Sequence, residues 1–284
     1  ITGVPEIPVH VEYFKSPEDV LREKRSLAVY LKQGGKLILN GDDPRMRQLK
    51  SDFRGATITY GFEIDNDYRG AFDEIAYENE KPNGMRFRLE HEGSSIPVMI
   101  SGALGRPRVY AALAAFAVAD VCGVDPISAT SSLSAWEAPP GRMRIIAGIN
   151  GSVIIDDTYN SSPAAALAAL DTLKDVVGKR RIAVLGDMLE LGKFSAEAHR
   201  QVGVRVRECA TMLMTVGFRS KGIGIAAHDA GMRSDKIIEF DAGESAHAGA
   251  VLKNSVKKGD IILVKGSQSM RMERAVYELM AHPE

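Results

Sequence analysis

The sequence predicts an α/β chain of two domains, and three observations carry that expectation. From residue 152 onward, short apolar strands ("SVIID", "RIAVLG", "MLMTVG", "KIIEF", "DIILVKG") alternate with helical stretches near 163–177, 195–208, 220–231, 244–257 and 270–281. Such alternation marks a mostly parallel sheet flanked by helices. Before residue 138 the rhythm differs, with strand-like pieces grouped between helices, and "EAPPGR" reads as a linker that divides 1–138 from 139–284. A length of 284 residues suits two domains on the usual domain size.

The first part opens with a helix: Ser16 is its N-cap, Pro17 its first turn, and Glu18 and Asp19 oppose the positive end of the helix dipole. Val20, Leu21, Leu27, Ala28 and Leu31 form its apolar side. Strands follow at "KLILN", "ATITYGF", "AFDEIAYE" and "GMRFRLE", the last with Met85, Phe87 and Leu89 in alternation. "LNGDDP" reads as an Asx-type turn and "EKPNG" as a turn between strands. "RVYAALAAFAVADVC" is apolar nearly all round, which predicts a buried helix, and a second helix covers about 125–136. Beyond the linker, Ser162 and Pro163 start a helix on which Leu167, Leu170, Leu173 and Val177 recur at helical spacing.

Composition excludes some classes of function. With 36 basic and 37 acidic residues, bulk charge points neither to a nucleic-acid-coating protein nor to an acidic tail. Cys122 and Cys209 lie in apolar helical patterns without a CxxC or nearby His, so both are expected to pack, in a reducing compartment such as the cytoplasm. No run of 18 uncharged apolar residues argues for membrane insertion, and no signal peptide opens the chain. Ile1 followed by "TGVPEIPVHVEYF" reads like the interior of a domain, so a fragment or processed chain is expected.

In parallel sheets, ligands collect beyond the carboxyl ends of the strands. Asp157, Asp187, Gly217 and Lys265 fall at or just past such ends. "IIDDTYNSSP" places Asp156, Asp157, Tyr159 and Asn160 in one strand-to-helix turn, where an acid either caps the turn or meets a ligand. "VKGSQSMRME" combines Lys265 with the backbone N–H groups of a Gly-Ser turn, a pattern that suits an anion or an ordinary surface turn. "VLGDMLELG" has the same strand-then-glycine form. Arg142, directly after the stiff linker, either reaches a phosphate or is solvated. Taken alone, Lys24 in its charged run reads as a solvated face and His10 between two valines as structural. There is no HExxH, Cys/His cluster or Asp-rich loop, no GxxxxGK[ST], and "GIGIAAHDAG" is not a dinucleotide fingerprint.

Together and in order, "HVEYFKSPEDVLREK", "DDTYNSSP", "VLGDMLELG", His199 with Gly203, and "VKGSQSMRME" resemble the Mur ligases. The resemblance is greatest to the type that adds D-Ala-D-Ala to a UDP-N-acetylmuramoyl tripeptide. It implies the remainder of a central ATPase domain followed by a C-terminal Rossmann-like domain. The UDP-sugar domain and phosphate-binding loop would lie upstream of Ile1, so the chain by itself is expected to be inactive. The implied activity is ATP-dependent amide formation through an acyl phosphate in peptidoglycan precursor synthesis. ATP and Mg²⁺ would serve it, in a monomer with no nucleic-acid partner. By position in the family's motifs, His10 and Lys24 would serve the metal, Lys24 as a carbamoylated lysine. Arg142 would meet the γ-phosphate and Asp157 the ribose. Asn160, His199, Lys265 and Ser267 would surround the cleft for the dipeptide and acyl phosphate.

The chain departs from the family's pattern in three places. "GRPRVYA" stands where the family has Gly-x-His-Asn-x-x-Asn, with Pro107, Arg108 and Ala111 in those places. Ser26 replaces the acid two residues after the special lysine, and "TGVPEIP" is one residue longer before His10 than the family's usual opening. Two other readings stand beside the first: a folylpolyglutamate- or cyanophycin-synthetase-like ligase, and a truncated, non-catalytic binding module.

Overall fold

The computed structural model describes residues 1–7 and 13–282. The chain forms two compact units, one of Ile1–Ala76, Gly84–Ser101 and Arg106–Glu137, the other of Tyr77–Asn83, Gly102–Gly105 and Ala138–Glu284.

The first unit runs α1 (Pro17–Val29), β1 (Lys36–Asn40), α2 (Pro44–Asp52), β2 (Ala56–Gly61), β3 (Tyr68–Glu78), β4 (Lys81–His91), β5 (Ser94–Ser101), α3 (Arg106–Val121) and α4 (Pro126–Ser134). Its strands order as β1-β2-β3-β4-β5, with β1–β2 and β2–β3 parallel and β4–β5 antiparallel. The Ser16 hydroxyl caps α1 by accepting from Asp19 N at 3.3 Å. Val20 packs with Leu37, Leu39, Met46 and Leu49, and Leu21, Ala28 and Leu31 pack against that cluster. Leu27, expected on the same side, is exposed.

The Asx turn at "LNGDDP" forms, with Asp42 N donating to Asn40 Oδ1 at 3.0 Å. Asp43 next to it caps α2, which the sequence reading did not separate from the turn. β5 also went unread, because Pro97 interrupts its alternation. Lys81–Gly84, expected within a turn, begins β4 instead, and the chain reverses at Asn79 and Glu80, both at positive φ. Helix α3 is not buried all round: Val109, Leu113 and Phe116 are buried while Val118 and Val121 are exposed. Its many alanines make the outer face read as apolar although they bury little area. Cys122 is exposed, against expectation, and Cys209 is buried.

The second unit runs β6 (Arg144–Ala147), β7 (Val153–Asp157), α5 (Pro163–Asp175), β8 (Arg180–Gly186), α6 (Ser195–Cys209), β9 (Met212–Val216), α7 (Lys221–Asp229), β10 (Ile237–Phe240), α8 (Ser245–Lys253), β11 (Asp260–Lys265) and α9 (Glu273–Leu279). The sheet order is β10-β9-β8-β11-β7-β6, parallel throughout except for β6, which lies antiparallel to β7. Every residue of β11 is buried, as suits a central strand covered by helices on both faces. Ile154, Ile182, Ile262, Val264, Leu252 and Leu279 form part of its core, and burying each such side chain contributes about 1.5–3 kcal/mol. Among the described residues no helix is long and apolar enough to cross a membrane.

Candidate active site

The second unit's sheet brings the sequence candidates to one edge. The chain runs from β7 to β8 past the place that β11 later fills, so the carboxyl end of β11 lies where the strand order reverses, the usual ligand crevice of such sheets. There Lys265 is the register partner of Asp157. Its Nζ donates to Asp157 Oδ2 at 2.6 Å and to the Asn160 carbonyl at 2.8 Å. The Lys265 side chain is only 2% exposed. The other Asp157 oxygen, Oδ1, accepts from Met143 N at 3.1 Å.

The two adjacent acids divide their work, because successive strand residues face opposite sides. Asp156 accepts from Gly141 N at 2.8 Å, Thr158 N at 3.2 Å and the Thr158 hydroxyl at 2.6 Å. It is the cap that ties the linker's end to the turn. Gly141 adopts φ +69°, and a Cβ there would lie 2.7 Å from Tyr159 N. That close approach lets Tyr159 N donate to the Gly141 carbonyl at 3.1 Å. It also places the Arg142 guanidinium 4.0 Å from the centre of the Tyr159 ring, a cation–π contact. Arg142 therefore has a fixed position and, among the described residues, no acidic partner. Asn160 is exposed, its side-chain oxygen accepting from Ser161 N at 2.8 Å.

The remaining candidates hold loops. His199 is 1% exposed. Its Nε2 accepts from Met188 N at 3.0 Å and its Nδ1 lies 2.7 Å from the Ser195 carbonyl. An Nε2 that accepts and an Nδ1 that donates define one neutral tautomer. Burial pushes the His199 pKa below its ordinary value, although the Ser195 carbonyl and nearby Asp187 pull the other way. The Ser267 hydroxyl accepts from Leu189 N at 2.9 Å, and Ser267 N donates to the Asp187 carbonyl at 3.0 Å. Lys265, His199 and Ser267, which the resemblance places around the cleft, are buried and hydrogen-bonded within the protein. Low dielectric strengthens such internal hydrogen bonds, and the three hold the loops that carry Asp157, Asn160 and Met188.

In the first unit Lys24 is half-buried and donates from Nζ to the Gly3 carbonyl, so it is more than a solvated charge. His10 lies outside the described residues. Among the described residues no group of three His, Cys, Asp or Glu side chains is arranged to hold a metal. At the divergent "GRPRVYA" stretch, the Tyr110 hydroxyl donates to Asp42 Oδ2 at 2.7 Å. Phe62 N, Glu63 N and Asn66 Nδ2 also donate to Asp42, at 2.6, 3.0 and 2.7 Å. Burial works to raise the Asp42 pKa, but these donors outweigh it and hold the carboxyl below its usual range. The sequence reading saw Asp42 only as a turn residue; its partners come from positions 20 to 68 residues away.

Comparison with known proteins bears on the family and the fold. Residues 7–119 match the Mur ligase middle domain and residues 141–268 the Mur ligase glutamate ligase domain. The chain is 29% identical over its whole length to the UDP-N-acetylmuramoyl-tripeptide–D-alanyl-D-alanine ligase of Bacillus subtilis, of which it covers 59%. With the Synechocystis ligase of the same name it shares 31% identity over 96% of the chain, covering 56% of that relative. The crystal structure of the MurF ligase from Thermotoga maritima in complex with ADP superposes with a TM-score of 0.80 at 26% identity, over 97% of this chain and 59% of that one. The chain therefore spans somewhat more than half the length of the relatives it matches. Its two units carry the middle and glutamate ligase domains in that order, and the chain belongs to the Mur ligase family.

Proposed function

We propose that the protein containing this chain is an ATP-dependent ligase that joins D-Ala-D-Ala to a UDP-N-acetylmuramoyl tripeptide, working as a cytoplasmic monomer. The carrying observation is the Asp157–Lys265 pair at the strand-order reversal, with Arg142 fixed on Tyr159 beside it. A carboxylate of this kind accepts from ribose hydroxyls, and a positioned guanidinium neutralises phosphate charge. The relatives named for this reaction, and the relative solved with ADP, support the same reading.

A tripeptide carboxylate oxygen attacks the γ-phosphorus and ADP leaves. The amine of the dipeptide then attacks the acyl carbon, inorganic phosphate departs and the nitrogen gives up a proton. Little covalent help is needed, and positioning with charge neutralisation carries the rate. In this reading Arg142 steadies the transferring phosphoryl group, Asp157 sets the ribose, and Lys265, Ser267 and His199 hold the loops in register. Lys24, as a carbamate, would serve Mg²⁺ together with His10. Bound Mg²⁺ would screen the phosphate charge.

The test is to incubate the native gene product with ATP, UDP-N-acetylmuramoyl tripeptide and D-Ala-D-Ala, and to follow phosphate release and product mass. A mass gain equal to the dipeptide less water supports the reading. Product with glutamate or another amino acid, and none with D-Ala-D-Ala, would move the protein to a different ligase of the superfamily.

A further inference from the structure

The first unit's sheet carries a groove that none of the roles above uses. Arg86 and Arg88, two residues apart on β4, project from one face, and their register partners on β5 are Met99 and Pro97. With Phe72 and Glu74 of β3 these residues line an open cavity of about 450 Å³.

Contacts on either side hold the two guanidinium groups. Arg88 Nε donates to the Ser95 hydroxyl at 2.9 Å, and Arg86 Nη2 lies 3.2 Å from Glu74 Oε1. Phe72 is 77% exposed, yet it sits inside β3 at φ +54°. One exposed phenylalanine is ordinary, but a bulky residue in the left-handed region is an outlier. That backbone costs about 1–2 kcal/mol. The next residue, Asp73, is tied to Arg106 at 3.4 Å. The chain thus sustains strain to hold an aromatic ring over an exposed sheet face, and outliers of this kind collect at functional positions.

The chemistry of the groove selects its occupant. Phe72, Pro97 and Met99 offer apolar surface, while two guanidinium groups share one carboxylate, Glu74. Arg88 has no acidic partner among the described residues. Pro97 lies in β5, the last strand in the order β1-β2-β3-β4-β5, and a proline there opposes the addition of a further strand. Recognition therefore runs across the face and through side chains. We infer that this face docks a segment of a partner protein in which an aliphatic or aromatic side chain stands beside an acidic one. The apolar side chain packs on Phe72, Pro97 and Met99, and the Arg88 fork grips the carboxylate. The inference stands apart from the ligase reading, since no residue of the groove takes part in the proposed chemistry.

The experiment selects a random peptide display library on the native gene product, with the Phe72→Ala/Arg88→Glu double variant as a parallel bait. Wild type should enrich peptides in which Asp or Glu adjoins Leu, Ile, Met, Phe or Trp, and the double variant should not. A synthetic peptide of the enriched sequence should bind wild type about tenfold more tightly than either single variant. Arg88→Lys should recover only part of that loss. Both side chains are exposed, so the melting temperature should hold and separate docking from folding. Enriched sequences without acids, equal enrichment by the double variant, or no enrichment at all overturns the inference. Self-association of the wild type that Phe72→Glu abolishes also overturns it, and gives the groove to a second copy of the chain.

Discussion

Lys265 and Asp157 face each other at one register position of neighbouring strands, 108 residues apart in sequence, with Nζ 2.6 Å from Oδ2. The same ammonium takes the Asn160 carbonyl, so one buried cation satisfies a carboxylate and the turn after it. Breaking such a pair from one side leaves the other charge stranded in low dielectric. Lys265→Met should cost about 3–5 kcal/mol, read as a lowered urea midpoint. Adding Asp157→Asn to that variant should recover part of the loss; a double variant no more stable than the single would show that the pair is not the cause.

In the proposed reaction Arg142 serves the transferring phosphoryl group, and its contacts add little to stability. Its guanidinium lies on an exposed ring and bridges no acid among the described residues. Arg142→Ala should leave the melting temperature nearly unchanged and lower kcat about a hundredfold or more. Arg142→Lys should restore little of it, because an ammonium neither stacks as well nor forks. Full rescue by lysine would leave bare charge as the whole role.

At Gly141 the constraint is steric. A methyl group there would meet Tyr159 N at 2.7 Å while the backbone holds φ +69°. Gly141→Ala should destabilise by about 1–2 kcal/mol from the left-handed backbone alone. Because the Tyr159–Gly141 bond also orients Arg142, KM for ATP should rise as well. Kinetics and denaturation on one preparation check both.

His199 gives the fold a pH dependence of known sign. Burial lowers its pKa, so the unfolded chain binds a proton more readily than the folded one. Its contribution is complete above the ordinary histidine pKa and fades as pH falls below about 6.5, at up to about 1.4 kcal/mol per pH unit. Protonation also removes the acceptor for Met188 N. Chemical denaturation between pH 7.5 and 5 should therefore show a slope that His199→Gln flattens. An identical slope in the variant would assign the acid sensitivity elsewhere.

The parts of the molecule that could be read from sequence are those governed by neighbours along the chain. Ser16, Ser162 and Pro163 marked helix starts because caps act over three residues. β7, β8, β9 and β11 stood out as apolar runs, since a strand buried on both faces needs no alternation. What stayed hidden depends on register and tertiary approach. Nothing in "VKGS" says that Lys265 spends its charge on Asp157, and nothing in "GDM" says that His199 accepts from Met188 N. β6 was missed because four residues directly after a linker give too short a pattern. The DDTYN stretch was legible as a polar strand-to-helix turn, but the separate partners of its two acids appeared only once the pleat fixed which way each faced.

The central position of β11 has a consequence for synthesis. β7, ending at Asp157, and β8, ending at Gly186, both leave the ribosome well before Asp260–Lys265, the strand that must separate and bridge them. Until residues 260–265 are made, Asp157 has neither its cation nor its neighbour, and the two strands border an open slot in the sheet. A polypeptide interrupted anywhere in that interval keeps apolar strand edges unpaired, the state that chaperones and proteases act on. The sheet therefore closes, and Asp157 gains its cation, only after β11 has been made.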